Sequence, residues 1–549
     1  MIGVIANSDD ACIAREFFEF FKTPWEFYRS DRQFDVVLST EDVRLEDVSA
    51  RLVVIYRSDR TSVDEKDRTQ TAAVREGAEV SFSGIATPLY GSCLTFRSSG
   101  SSVLKSSGSG ESVAYVTRVG PGWFARVGYD LFKEIRTLLT QGQPASNAAV
   151  PTLELHIAFL RDLIIGCGVP LVEIPPVPHG HSFIACLTHD VDHAAIRKHR
   201  FDATMFGFLY RATIASTLNA VRGRLSLKDL MTNWSAAARL PLVYLGLADD
   251  FWRSFDRYLD LEQRRPSTFF VIPFARTPGR SPNGMAPVAR GAGYGVEDIA
   301  AKIDKLRAAG CEIALHGIDA WSDSAKGVEE ASQISRYSSA VVSGVRMHWL
   351  YRDENSPAAL EEAGFSYDST VGFNETVGYR AGTTQVFKPI RATRLLELPL
   401  HVMDTALFYP DYLGLTAEQA WSLVRPMLSS ASRFGGLLTV NWHDRSIAPE
   451  RLWGSFYVKL LDELTRQGAL FCTADQAVSW FRMRRSVAFE RLQDGGWSVK
   501  VETPAGNPQP GMRLRVHRMA SSNNSFVMPE TTEVNFTDTV LTDSMVFHA

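Results

Sequence analysis

The chain has 549 residues, more than one hydrophobic core usually organises, so two or three domains are expected. Its hydrophobic fraction of 45% and charged fraction of 22% are typical of a globular protein and exclude a disordered or fibrous one. The formal net charge of -4 shows no basic excess, which excludes nucleic acid from the expected partners.

Three features bear on the compartment. The first residues, MIGVIANSDD, have no basic start before a long apolar stretch, so no signal peptide is expected. No segment reaches the ~18 apolar residues of a membrane span. The six cysteines are scattered without a C-x-x-C pair, as reduced thiols often are. We therefore expect a cytoplasmic protein without a membrane span, whose oligomeric state the sequence leaves open.

The pattern of apolar segments predicts three regions. Residues 1–180 alternate short apolar runs with helix-like stretches, which predicts an N-terminal α/β accessory region. The run 174–181 contains three prolines and a glycine, and we place a domain boundary there. Residues 181–485 alternate strands and helices, which predicts a parallel, open or barrel-like sheet. Residues 486–549 alternate apolar and polar residues around 494–496, which predicts a β-hairpin in a small C-terminal β module.

A long helical segment, residues 194–265, separates the first strand of the central region from the next. Its aromatic residues are mostly spaced as on helix faces, and this spacing favours core packing over sugar stacking. The aromatic residues are Phe206, Phe208, Tyr210, Trp234, Tyr244 and Trp252.

Two carboxylates follow the apolar run Phe183 to Leu187. Strand side chains alternate, so Asp190 and Asp192 project from the same face at the carboxyl end of the strand. Carboxylates this close repel each other unless a cation lies beside them. A solvated, capped loop is an equally weighted interpretation of this motif alone.

Histidines end three further apolar segments of the same region, at His316, His348 and His443. Neutral imidazole and carboxylate groups suit Zn²⁺ or a similar divalent ion. A single histidine at a strand end is more often structural, but four such clusters in one α/β domain favour a shared metal site.

These motifs, in this order over residues 182 to about 450, resemble those of the polysaccharide deacetylase superfamily. The resemblance rests on Thr188-His189-Asp190, HGIDAW, RMHWLY, YDST, GYRAGT and NWHDRS. It implies a distorted (β/α) barrel in which Asp190 is the general base and Asp192 a metal ligand. The family's His-x-x-x-His motif is matched only by His316, because Ala320 occupies the second position.

The remaining roles also come from the resemblance. We expect His348 to replace the missing metal ligand, with His193 and Asp319 as alternatives. Arg346 is expected to hold Asp190 ionised and oriented. Asp368 is expected to orient His443, the general acid.

Substrate contacts are predicted at two positions. Trp349 lies where a backbone N–H is expected to stabilise an oxyanion. Arg380, between two glycines, is positioned to reach a substrate carboxylate or hydroxyl, although a structural salt bridge is equally compatible with the pattern. Glu397 and Asp404 remain candidates for orienting other groups.

The expected activity is metal-dependent hydrolysis of a non-peptide carbon–nitrogen bond, with Zn²⁺ as the expected metal. The expected substrate is an acetylated sugar or polysaccharide, from which the enzyme removes an N-acetyl group. One alternative is an amidase acting on a small or nucleotide-linked metabolite. Another is a catalytically inactive, glycan-binding protein of the same fold, suggested by the absent second histidine.

Overall fold

The computed structural model describes residues 1–72, 74–82, 84–97, 100–492, 496–501, 510–518, 526, 535–541 and 544–547. Its N-terminal part is built on a seven-stranded sheet. Five neighbouring strands of this sheet are parallel, the sixth pairs antiparallel to the fifth, and the seventh pairs antiparallel to the sixth. In sheet order the strands are Trp25–Phe27, Ile2–Ile5, Val36–Ser39, Leu52–Tyr56, Gly122–Val127, Ser112–Val119 and Ser101–Lys105.

Helices cover this N-terminal sheet, and two short strand pairs extend it. The helices are Ala11–Phe20, Ser62–Lys66, Leu131–Thr140 and Thr152–Gly166. The strand pairs are Arg75–Glu76 with Ser92–Cys93, and Glu79–Phe82 with Ile85–Pro88. The apolar faces of helices and sheet share one buried core, which also takes in Val371, Ala381 and Phe387 of the central region.

A nine-stranded parallel sheet forms the central region. Its first strand, Phe183–Val191, is buried along its whole length, as expected for a parallel strand covered on both faces. From one edge the strands run Leu396–Glu397, Tyr367–Asp368, Gly344–Met347, Glu312–Gly317, Thr268–Val271, Phe183–Val191, Leu437–Asn441 and Val402–Met403, and Ala469–Cys472 pairs with Phe183–Val191 beside this path.

The two edge strands of this sheet belong to one piece of chain, residues 396–403, which we call the closing segment. Its start pairs with Tyr367–Asp368, and its end pairs with Leu437–Asn441. The sheet therefore curls until its edges meet, which confirms the predicted α/β fold with a distorted barrel.

Helices connect the barrel strands. Thr416 and Thr473 each begin a helix with a capping box, in which the side chains of the cap and of the third helical residue satisfy each other's backbone N–H groups. The α-helices are Ala203–Tyr210, Ser216–Val221, Leu227–Tyr244, Phe255–Glu262, Ala300–Ala308, Ser324–Ser338, Ser356–Glu362, Asp404–Phe408, Ala417–Phe434, Gly454–Arg466 and Ala474–Ser486. No helix among the described residues has the length and apolarity needed to cross a membrane.

The C-terminal residues form two small antiparallel sheets. One contains Ala488–Arg491, Trp497–Lys500 and Ser544–Phe547. The turn predicted at Asp494-Gly495 lies outside the described residues, although the strands on either side of it pair as a hairpin does. The other contains Met512–Arg518, Asn535–Leu541 and Leu171–Glu173. The last of these strands comes from the predicted N-terminal region, so C-terminal strands pair with residues far earlier in the chain.

Candidate active site

Three predicted metal ligands converge at the carboxyl end of the barrel. Asp192 follows Phe183–Val191, His316 lies in Glu312–Gly317, and His348 follows Gly344–Met347. Their ligand atoms all lie within 4.8 Å of one another. Nε2 of His316 is 3.3 Å and Nε2 of His348 is 3.5 Å from Oδ1 of Asp192. Three parallel strands of one sheet, of which those at His316 and His348 are adjacent, thus present one carboxylate and two imidazoles to a common point.

The two alternative ligands are engaged elsewhere. Nδ1 of His193 lies 3.0 Å from Nε2 of His199. Asp319 accepts a hydrogen bond from the backbone N–H of Arg280 at 2.6 Å. His348 therefore completes the group of three, and neither His193 nor Asp319 belongs to it.

The hydrogen bonds around this group fit a bound cation. Nδ1 of His316 lies 2.9 Å from the carbonyl oxygen of Arg346, which can only accept, so Nδ1 carries the proton. In the neutral imidazole, Nε2 then presents a lone pair to Oδ1 of Asp192, an oxygen with no hydrogen-bond partner among the described residues. Burial lowers the pKa of His348 to about 3, so this imidazole is neutral. Two imidazoles and a carboxylate are a donor set for Zn²⁺ or a similar ion.

Asp190 is held as a carboxylate beside the three ligands. Its Oδ1 accepts from Nη1 of Arg346 at 2.9 Å, and its Oδ2 accepts from Nδ2 of Asn441 at 2.7 Å. Burial opposes ionisation, but the Arg346 guanidinium lowers the pKa of this carboxyl below its usual value. Oδ2 lies 4.0 Å from Nε2 of His316. Asp190 is therefore positioned to accept a proton next to a metal bound there.

Arg346 is itself held in place by several hydrogen-bond acceptors. Its Nε and Nη2 donate to the carbonyl oxygen and the hydroxyl of Ser369, at 3.0 and 2.9 Å. Its Nη1 also donates to the Thr188 hydroxyl at 2.8 Å. The guanidinium is fully buried, so its contact with Asp190 occurs in a region of low dielectric constant, where it is strong.

His443 lies on the opposite side of Asp192, with Nε2 3.7 Å from Oδ2 of that residue. Its Nδ1 is 2.6 Å from Oδ1 of Asp404, and its backbone N–H donates to Oδ2 of the same carboxylate at 2.7 Å. Burial alone would lower the pKa of His443, but Asp404, Asp192 and Asp190 raise it to about 10. The imidazole is therefore protonated near neutral pH and can donate a proton from Nε2.

The prediction that Asp368 orients His443 is wrong, because Asp404 occupies that position. Asp368 instead accepts a hydrogen bond from Thr370, and burial raises its pKa to about 6. Thr370 in turn accepts from the backbone N–H of Met347, so Asp368 supports the end of the strand that precedes His348. Asp404 follows the closing segment directly, at the same carboxyl edge as His443.

Arg380 is also placed differently from the prediction. Its Nη1 and Nη2 donate to the carbonyl oxygens of Gln143 and Gln141, at 2.8 and 3.0 Å, and its guanidinium stacks on Phe373. Gly142, with φ +72°, lies so close that an added Cβ would be 2.6 Å from the carbonyl oxygen of Arg380. Arg380 joins the barrel to the N-terminal region and does not line the cleft described below.

The ligands open into a cleft of about 1460 Å³. Asp190, Asp192, His316, His348 and His443 all line it. Trp349, at 39% exposure, also lines it with a left-handed backbone, φ +63°, which turns its ring toward the opening. The role of Trp349 in substrate contact stays a prediction, and the position of Trp349 in the cleft is compatible with that role.

Two side chains of the NWHD motif have roles that the sequence analysis did not assign. Besides binding the carboxylate of Asp190, Asn441 accepts from the backbone N–H of that residue at 3.1 Å. Asp444 accepts from the backbone N–H of His193 at 3.2 Å and thereby fixes the chain just after Asp192. The sequence offers one signal for both residues. Asn441 ends a buried strand adjacent to Phe183–Val191, and Asp444 follows that strand closely.

No family model and no curated protein matches the chain. Solved structures do match it. Agd3, described as a novel carbohydrate deacetylase, is 9% identical over 100% of this chain and 99% of its own, with a TM-score of 0.36. A Mycobacterium smegmatis protein assigned as a polysaccharide deacetylase is 20% identical over 56% of this chain and 95% of its own, with a TM-score of 0.35. Puue allantoinase is 12% identical over 56% of this chain and 92% of its own, with a TM-score of 0.33.

Proposed function

We propose that the chain is a metal-dependent hydrolase that removes an acyl group, most simply acetyl, from the nitrogen of an acylated amino sugar. The observation that carries the proposal is the grouping of Asp192, His316 and His348 between an ionised Asp190 and a protonated His443. The resemblance of the motifs to polysaccharide deacetylases agrees with this grouping.

A divalent ion held by Asp192, His316 and His348, Zn²⁺ by its donor set, would supply a Lewis acid at this point of the cleft. Asp190, kept ionised by Arg346 and oriented by Asn441, takes a proton from the attacking water. The remaining hydroxide bonds to the carbonyl carbon of the substrate.

His443 completes the reaction. As the carbon–nitrogen bond breaks, Nε2 of His443 gives its proton to the nitrogen, which leaves as an amine. Asp404 holds the imidazole in the orientation that this transfer needs. The acid product carries the acyl group and the water oxygen, and exchange with solvent returns Asp190 and His443 to their starting states.

The test combines metal analysis with turnover of N-acetylated oligosaccharides. We expect one divalent ion per chain in the wild type, loss of both ion and turnover in His316→Ala, and loss of turnover with the ion retained in Asp190→Asn. His179→Ala, at an exposed histidine outside the cleft, is the matched control and should keep both. A wild-type protein that binds no ion and hydrolyses no acylated sugar would instead be a glycan-binding protein.

The alternative amidase activity uses the same groups on a smaller, charged substrate. One observation favours this activity: more basic than acidic side chains line the cleft.

A further inference from the structure

Three arginines gather around Tyr409 in the cleft, on the side of His443. Arg211, Arg445 and Arg451 line the same cavity as Asp192 and His443. Nη2 of Arg445 donates to the Tyr409 hydroxyl at 2.8 Å. The guanidinium of Arg451 lies 5.3 Å from the centre of the Tyr409 ring. We call these three residues the arginine cluster.

The arginine cluster lacks matching negative charge. Glu450 lies 3.9 Å from Arg211, and one of its oxygens also accepts from Nε1 of Trp252. In the described part of the chain, no carboxylate oxygen comes within 4.0 Å of the nitrogens of Arg445 or Arg451. Nε of Arg451, a residue only 6% exposed, has no hydrogen-bond partner there either. Burying a guanidinium without a counter-charge is unfavourable, so the cluster is incomplete without an anion.

The rest of the cleft also has more basic than acidic side chains in its wall, with Arg197 and Lys198 paired to Asp250 and Asp298 outside it. Eight basic residues line it, against four aspartates, of which Asp190 and Asp192 belong to the catalytic group. The basic residues are Arg197, Lys198, Arg200, Arg211, Arg276, Arg290, Arg445 and Arg451. Burial alone would raise the pKa of Tyr409, yet Arg451 and Arg445 lower it to about 8, as expected of a positive local potential.

We propose that the arginine cluster binds an oxyanion carried by the substrate, so that the substrate is an acylated amino sugar bearing a phosphate or carboxylate group. The assignment of the acyl part rests on the proposed function, but the binding of the anion does not. Planar guanidinium groups bind the two oxygens of a phosphate or carboxylate in parallel, and neither Arg451 nor Arg445 has a carboxylate partner in the part of the chain described. A neutral glycan would leave the charge of Arg451 unmatched.

The first experiment measures anion binding alone, by calorimetric titration with inorganic phosphate and, separately, with glucuronate. We expect Arg451→Gln to weaken binding of the preferred anion by about 10–100-fold, the value of a charged hydrogen bond. Arg451→Lys should restore part of it, since the charge returns. Arg336→Gln, at an exposed cation outside the cleft, is the control and should bind as the wild type does.

Comparison of the two probes tells phosphate from carboxylate as the substrate group. Arg445→Gln serves if Arg451→Gln does not fold, because Arg445 is less buried. Equal binding of both anions by the wild type and by both glutamine variants would overturn the proposal.

The second experiment compares turnover of N-acetylglucosamine with turnover of its 6-phosphate and of N-acetylglucosaminuronate. We expect the wild type to prefer a charged sugar and Arg451→Gln to lose that preference. Anion binding that depends on Arg451 without any turnover would support the anion site while the proposed function fails. Turnover of neutral sugars without any anion binding would support the proposed hydrolase function and overturn the anion site.

A different surface carries a second inference. The helical residues 203–221 and the helix Leu227–Tyr244 form a hairpin beside the cleft. Each presents an exposed apolar stripe with helical spacing: Ile214, Leu218 and Val221 on the first, Leu227, Met231 and Trp234 on the second. Ile214, Leu218 and Trp234 line one groove, so the two stripes form a single face. We call it the hairpin face.

The expectation that the aromatics of this segment pack in the core holds for Phe208 and Trp252, which are buried. It fails for Phe206, Tyr210 and Trp234, which are exposed. An apolar face of this extent on a surface marks an interaction site.

The charged residues beside the hairpin face indicate which kind of partner it binds. Val221 and Leu227, 81% and 78% exposed, lie at the tip of the hairpin next to the exposed Arg222, Arg224 and Lys228. Between residues 203 and 244 the chain has five basic residues and a single acid, Asp229, whose carboxylate accepts from the Ser226 hydroxyl. Apolar residues inserted among lysines and arginines are the pattern of helices that lie in a bilayer interface. We propose that the hairpin face docks on an anionic phospholipid surface.

The test is sedimentation with vesicles of phosphatidylcholine, with or without phosphatidylglycerol. We expect the wild type to bind only the anionic vesicles. Replacing Arg222, Arg224 and Lys228 with glutamine should weaken binding on the order of 100-fold, from about fivefold per charge. The double variant Leu227→Ser with Met231→Ser should also weaken it, whereas Val341→Ser, at an exposed residue outside the hairpin, should not.

Absence of wild-type binding to anionic vesicles would overturn this proposal, as would equal binding by all variants. If the serine variants instead convert a dimer to a monomer, the hairpin face is a contact between copies of the chain.

Discussion

The strand Glu312–Gly317 carries an ionisable side chain near each end, and the two are held in opposite ways. Glu312, at the start, accepts from the hydroxyls of Thr268 and Tyr367 and from the backbone N–H of Asp475, at 2.7 to 3.0 Å. His316, near the carboxyl end, points its free nitrogen at an oxygen of Asp192 that lacks a hydrogen bond. Saturated polar contacts hold a fold together, whereas unsatisfied ones leave room for a ligand.

The largest effect on turnover is expected at the carboxyl ends of the barrel strands, where the candidate active site lies. Asp190→Asn should lower turnover by roughly 10²–10⁴-fold, because the amide cannot accept the proton of the attacking water. The midpoint of thermal unfolding should fall as well, because the amide leaves the buried charge of Arg346 without a counter-charge and turns its NH₂ group toward the amide donor of Asn441. Steady-state kinetics on an accepted substrate, with calorimetric melting as control, measure both. Undiminished turnover would remove Asp190 from the mechanism.

At Glu312, the start of the strand Glu312–Gly317, we expect a loss of stability without a loss of turnover. Glu312→Ala leaves the hydroxyls of Tyr367 and Thr268 without their acceptor, which should cost about 3 kcal/mol of unfolding free energy. Urea unfolding monitored by tryptophan fluorescence measures the loss. The folded fraction should keep wild-type turnover per molecule, and a large fall in turnover would show that the two ends are not separate in function.

A smaller effect should distinguish Asp404 from Asp368. Asp404→Asn removes the carboxylate that orients His443 and should lower kcat about 10–100-fold with little change in KM. Asp368→Asn should lower kcat less, because Asp368 supports the end of the strand Gly344–Met347 and does not contact His443. Asp404→Glu, which keeps the charge, should recover part of kcat. Equal losses at the two positions would contradict the assignment.

The smallest effect concerns the pH dependence of stability and another buried carboxylate, Glu173, which pairs with Arg161 and His517 at 2.8 Å each. Burial alone would raise the pKa of Glu173, but Arg161 and His517 lower it below the unfolded value of 4.5. A folded pKa below the unfolded one adds stability above about pH 4.5, and this stability is lost as the pH falls further.

This single carboxyl should account for about 1 kcal/mol of unfolding free energy between about pH 4.5 and pH 3.5. Urea unfolding across this range measures it. Glu173→Gln should have a correspondingly shallower pH dependence, and an unchanged slope would assign the acid sensitivity to other groups.

The convergence of Asp192, His316 and His348 could be anticipated because parallel strands bring their carboxyl ends to one edge. Each of these residues ends or follows an apolar run that is visible in the sequence. The alternation of side chains then places Asp190 and Asp192 on one face. Asp190, Asp192, His316 and His348 could therefore be placed at one edge without knowledge of which distant strands pair.

Asp404 and Arg380 could not be placed in this way. The closing segment has only two paired residues at each end, too few to read as a strand, so the sequence does not reveal that it returns to Leu437–Asn441. The order of strands around a barrel decides which acid reaches His443, and this order is a tertiary property. Arg380 was assigned from its flanking glycines, but one of its partners is a backbone carbonyl more than 200 residues earlier, at Gln143.

The closing segment also links folding to chemistry. Asp404 is the first residue after it, so the carboxylate reaches His443 only when residues 402 and 403 pair with Leu437–Asn441. If residues 402 and 403 came away from this strand, Asp192, His316 and His348 would keep their own strands, but His443 would lose the carboxylate that orients it. The edge pairing of the barrel is thus coupled to the proposed proton transfer, and a change that loosens this pairing is expected to affect the proton donor before the metal ligands.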